Sequence, residues 1–98
     1  MRDANDTQPM ILTRRARRLA RCGEYRKAAL ALRERAALVG DAASFVALGD
    51  MYRRARRMND AVSALKQGMY LHRVKGAHLR ARTVARMLVA LDPWRAAS

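Results

Sequence analysis

Residues 45–65 read FVALGDMYRRARRMNDAVSAL, and the spacing inside this stretch decides the fold. Phe45, Leu48 and Tyr52 recur at steps of three and four, so they share one face of a helix. Ala61 and Leu65 repeat that spacing after a short break. Gly49 and Ala61 are small where the bulky residues are not. Small side chains at those places let two helices of one hairpin touch, while Phe45, Tyr52 and Leu65 fill the space around the contact. Asn59 is a plausible cap for the second helix of the pair.

Outward from this stretch, the same spacing returns. The stripe Tyr25, Ala28, Ala29, Leu32 and Ala36 becomes Met58, Ala61, Val62, Leu65 and Met69 on a shift of 33. The same shift carries Leu12 to Phe45, Ala16 to Gly49 and Leu19 to Tyr52. A period of 33 with two helices per unit predicts a solenoid of helical hairpins. Pro9 and Pro93 are the only prolines, and no strand-like alternation lies between them. Five helices are predicted. The first runs from about Met10 to Cys22, ended by Gly23, and the second from Tyr25 to Val39, ended by Gly40. The third runs from an Asp41 cap to about Arg54, the fourth from about Asn59 to His72, and the fifth from Ala77 to Leu91 after Gly76. This divides the chain into a flexible tail 1–9, a helical domain 10–91 (hairpins 10–39 and 42–72, cap 77–91) and a tail 92–98.

The second unit, Phe45-x2-Leu48-Gly49-x2-Tyr52 then Ala61-x3-Leu65, resembles the tetratricopeptide repeat (TPR). The first unit, Leu12-x2-Arg15-Ala16-x2-Leu19 then Ala28-x3-Leu32, is a degenerate copy, with Arg15 where the family has leucine. Gly40 and Arg73 stand where the family closes with proline. Arg56 replaces the glycine of the second turn, where a left-handed residue other than glycine costs about 1 kcal/mol. After helix four the match fails, and helix five reads as a cap packing Ala81, Val84, Ala85, Leu88 and Leu91 inward. The resemblance implies an all-α, TPR-like superhelix of two hairpins plus a capping helix.

Ninety-eight residues make one domain with a single modest core. Roughly 15 large apolar side chains are expected to be buried, so the fold should be marginal or should lean on a partner. Lys and Arg number 21 against eight acidic residues, a formal net charge of +13. Such an excess favours acidic proteins or polyanions. Arginine dominates it, with only Lys27, Lys66 and Lys75 as lysines, and abundant Arg and Ala are also what a GC-rich genome writes on solvated helices. No run approaches the roughly 18 apolar residues of a membrane span. MRDANDTQP at the start lacks the basic-then-apolar order of a signal peptide. The expectation is a cytoplasmic protein without a membrane partner.

Chemistry is sparse. No two carboxylates lie four apart on a helix face, and His72 and His78 straddle a turn at the wrong spacing for two metal ligands on one face. Cys22 has no neighbouring histidine, reads as a small buried apolar residue and excludes an intramolecular disulfide. No phosphate-cradling glycine loop occurs. No catalytic residue, metal or cofactor is expected, so the chain reads as a binding module and not an enzyme.

What it binds follows from the resemblance. In a TPR array the first helix of each hairpin lines a concave groove, which here would display Arg17, Arg21, Val46, Asp50, Arg53, Arg54, Leu79 and Arg86. The expected partner is another protein, offering an acidic or amphipathic segment to an adaptor or chaperone. The family's lysine and asparagine carboxylate clamp is not reproduced, because Thr13, Arg17 and Asp50 occupy those places. Self-association through helix one or five is a further expectation, with Met51, Leu71 and Trp94 as contacts, although Trp94 reads better as a lid on the last helix. The alternative is non-specific, salt-sensitive nucleic-acid binding through the arginines. Against it, the aromatics fall mainly at core positions and leave no stacking platform.

Overall fold

The computed structural model describes residues 4–91, with side chains from Gln8 onward. Its five helices are α1 (Ala4–Arg21), α2 (Tyr25–Val39), α3 (Ala42–Arg54), α4 (Met58–Val74) and α5 (His78–Leu91). No strand occurs among the described residues, so the protein is all-α. The tail expected at 1–9 is helical from Ala4, and α1 runs through Pro9. Pro9 lies just past the first four residues, whose N–H groups have no intrahelical partner, and so forgoes one backbone bond of α1. Thr13 Oγ1 donates 2.9 Å to the Pro9 carbonyl. The expected tail 92–98, with the Trp94 lid, lies outside the described residues.

Three of the four connections are the same turn. Gly23, Arg56 and Gly76 all adopt the left-handed conformation, at φ 75°, 62° and 76°. The residue after each reaches back five places: Glu24 N–H to Leu19 O, Arg57 N–H to Tyr52 O and Ala77 N–H to His72 O, each 2.8 Å. This pairing satisfies carbonyls that a helix end leaves open. The same three residues start the next helix, since their carbonyls accept from Ala28, Ala61 and Ala81. Arg57 and not Asn59 therefore begins α4, with no side-chain cap. Cys22 sits in the first of these turns and is exposed, contrary to its buried reading. The expected seat of helix-five residue Ala77 is likewise the turn itself.

The α2–α3 connection is built differently. Gly40 ends α2 at φ 69°, and Asp41 caps α3 by accepting from Ser44 N–H at 3.1 Å. The Ser44 hydroxyl also donates to Asp41, and Arg35 from α2 donates to that hydroxyl. Burial raises the Asp41 carboxyl's pKa. The Ser44 hydroxyl and amide, with the Arg35 guanidinium 3.7 Å away, outweigh it and hold the group below its ordinary value. Helix α5 follows α4 through the intra-hairpin type of turn, not through this one. That is why the period of 33 breaks there.

All extensive helix contacts join consecutive helices, and α3 with α4 is the most extensively packed pair. Two glycines explain this packing. A Cβ on Gly49 would stand 2.6 Å from Leu65 Cγ, and one on Gly68 would stand 2.7 Å from Val46 Cγ2. The core between the helices is leaner than expected. Among the described residues seven large side chains are buried (Leu12, Leu32, Leu48, Val62, Leu65, Val84 and Leu88), and alanine supplies most of the rest. One cluster gathers α1, α2 and α3 around Leu12, Leu32 and Leu48, and another joins α4 to α5 around Val62, Leu65, Val84 and Leu88.

Candidate functional site

Helices α2 and α4 run in the same direction on either side of α3, because each is antiparallel to it. Arg35 meets Ser44 and Arg54 lies over Tyr25 along one side, while Gly49 meets Leu65 and Gly68 meets Val46 along the other. The two outer helices do not close over α3. They leave an open groove of about 480 Å³.

Its floor is α3: Phe45, Leu48 and Tyr52, with Ala36 and Ala64 at the edges. Leu48 is buried, and the two aromatics are half-buried. The α2 rim is Arg26, Leu30, Arg33 and Ala37, all exposed. Leu30 keeps 54% of its surface in solvent, a large apolar side chain held at a groove edge. The α4 rim is Arg57, Asp60, Ser63 and Gln67.

The rims differ in charge. Arg57 is bound to Asp60 at 2.8 Å and lies 5.8 Å from the Tyr52 ring centre. The α4 rim is thus neutralised within itself. Arg26 and Arg33 form no ion pair among the described residues, so the α2 rim carries two uncompensated positive charges above an apolar floor. Arg54 lies 5.8 Å from the Tyr25 ring centre at the start of α2.

The residues expected to line a concave groove fall in several places. Val46 packs against Gly68 and the α4–α5 cluster, so it is core and not lining. Asp50 binds Arg53 at 2.6 Å and Arg54 at 3.2 Å, which joins three of the expected residues in one exposed ion-pair cluster. Arg17 and Arg21 are exposed on α1, and Arg21 borders a shallow depression with Arg14, Arg18 and Cys22. Leu79, 77% exposed, and Arg86 belong to α5, where Arg86 lines a separate depression with Arg82 and Val89. Met51, expected as a self-association contact, packs against the first core cluster, and Leu71 is half-buried. Among the described residues no three metal-ligating side chains come together, and no helix is long and apolar enough to cross a membrane.

Sequence reasoning missed the α2–α4 groove. One signal was present: Arg26, Leu30, Arg33 and Ala37 follow helical spacing on the face opposite the buried Ala28, Ala31 and Leu32. No family model, curated protein or solved structure matches the chain.

Proposed function

We propose that this chain is a non-catalytic interaction module of the adaptor or chaperone type, a TPR-like pair of hairpins with a capping helix. It takes an acidic, amphipathic segment of another protein into the groove between α2 and α4. One observation carries this reading: an apolar floor and an exposed Leu30 beside two arginines with no acidic partner among the described residues. Apolar side chains of the segment would cover Phe45, Leu48 and Tyr52, excluding water from them. Its carboxylates would meet Arg26 and Arg33, whose planar guanidinium groups bind carboxylates in paired geometry. The lean, alanine-rich core gives the protein a reason to gain apolar contact on binding.

The experiment is fluorescence anisotropy with a labelled pool of Glu/Leu/Ala peptides of mixed spacing. Arg26→Glu with Arg33→Glu should lower capture at least tenfold. Arg17→Glu, Arg21→Glu and Arg53→Glu together should leave it near wild type. The reverse result would move the site to the face of α1 and α3.

A second reading has its own observation. Arg14, Arg18 and Arg21 surround one depression on α1 and have no acidic partner among the described residues, an arrangement suited to phosphate oxygens. Titration of labelled RNA and duplex DNA against salt tests it. Micromolar affinity near physiological salt, with log affinity falling steeply with log salt, would favour nucleic acid.

A further inference from the structure

Resting on the groove reading above, we infer that the occupant is an α-helix of about three turns, with acidic residues seven positions apart on the side that faces α2.

The rims supply the first part of the case. On α2 the groove residues step by four, three and four, from Arg26 through Leu30 and Arg33 to Ala37. Steps averaging close to one helical turn keep the rim straight along the axis. On α4, Asp60, Ser63 and Gln67 step by three and four. Because the two helices run the same way, these edges form a channel. From Arg26 to Ala37 it is about 16 Å long, the length of about three helical turns.

The walls supply the second part. Both are α-helices whose backbone groups are bonded internally, and the floor is apolar. An extended strand laid there would find no partners for its own N–H and C=O groups, and burying those unpaired is costly. A helix satisfies its backbone by itself and needs only side-chain contact.

The arginines supply the third. Arg26 and Arg33 are separated by about 10.5 Å along α2, since each residue rises about 1.5 Å. A helix lying alongside rises equally, so its residues at i and i+7 meet both arginines from one face. A strand covers the same distance in about three residues, and residues three apart on a strand point to opposite sides. Only the helix presents two carboxylates to α2 and an apolar stripe to Phe45, Leu48 and Tyr52 at once. The α4 rim asks for no charge, because Asp60 already holds Arg57 and Ser63 and Gln67 are neutral.

Three labelled peptides of identical composition test this on the full chain, by anisotropy and circular dichroism. One carries Glu at i and i+7 beside a leucine stripe, one carries the same Glu residues at i and i+5, and one has the i, i+7 pattern broken by central proline. All three keep one proline, placed at the end in the first two. The first should bind at least tenfold more tightly than the others, with gain of helical signal in the complex. Arg26→Glu/Arg33→Glu should lose it and instead take the same peptide with Lys at i and i+7. Equal binding of all three, abolished by that double substitution, would overturn the helical register while leaving groove capture standing. Binding by none of the three, nor by the mixed-spacing pool, would overturn both.

Discussion

In the α3–α4 hairpin the helices meet through Gly49 and Gly68. Thirty-three residues earlier, in the α1–α2 hairpin, Ala16 and Arg35 hold those places. The second pair can approach until a single added carbon would collide with Leu65 or Val46. The first pair meets through alanines, with Ala16, Ala28 and Ala29 buried. Arg35 leaves the pair altogether and reaches Ser44 and Asp41 at the start of α3. The repeated pattern sets which faces meet. The size of the residue at the crossing sets how closely, and a departure from the pattern frees a side chain to tie one hairpin to the next.

The largest expected effect breaks that comparison most directly. Gly49→Leu forces a side chain into the space of Leu65 and the Ala61 carbonyl, where Leu65 Cγ is not a free end that can swing away. A loss above about 3 kcal/mol is expected, enough to unfold a marginal domain. Ala16→Leu at the matching place should cost about 1–3 kcal/mol. Urea melts by circular dichroism would show the difference. Equal losses would mean that the hairpins are packed alike.

Next in size is the tie between them. Asp41→Ala removes a helix cap and the anchor of Ser44 and Arg35, a loss of about 1 kcal/mol at neutral pH. The sign with pH follows from a folded carboxyl held below its unfolded value of about 3.9. Its contribution is full above that value and disappears as pH falls through the lower folded one. The gap between wild type and variant should therefore close below about pH 4. A gap constant down to strong acid would remove the charge from the account.

The smallest effect compares the two turns. Gly23 and Arg56 take the same left-handed conformation, and no atom lies within 4 Å of a Cβ at Gly23. Only the backbone then separates them. Arg56→Gly should gain about 0.5–1 kcal/mol and Gly23→Arg should lose about 1 kcal/mol. Changes of the same sign in both would show side-chain contacts at work in one turn.

Much of this fold was legible from the chain. The left-handed strain at Arg56 follows from the glycine 33 residues before it, and the buried faces of α2 and α4 follow from their alanine and leucine spacing. Gly68 was not legible, because its repeat mate is Arg35 and the comparison that exposes Gly49 gives no cue there. The repeat match failed at the fifth helix because Gly76 repeats the turn of Gly23, 53 residues on, and not the turn at Gly40. Asn59 looked like a cap, but the turn at Arg56 already hands Arg57 that place. The candidate groove depends on how far α2 and α4 stand apart across α3. Local spacing marks Arg26 and Arg33 as exposed and carries no information about that distance.

Each helix packs extensively only on its neighbours in the chain. Such a molecule closes no long loops on the way to its native state, and low contact order is associated with folding in microseconds to milliseconds. During synthesis α1 and α2 can pair before α4 has left the ribosome. The α2–α4 groove is then among the last features to exist, since it requires α3 to be seated and α4 to be laid beside it. Under the proposed function, an acidic helix arriving early would find no channel to occupy, and capture would wait on completion of the second hairpin.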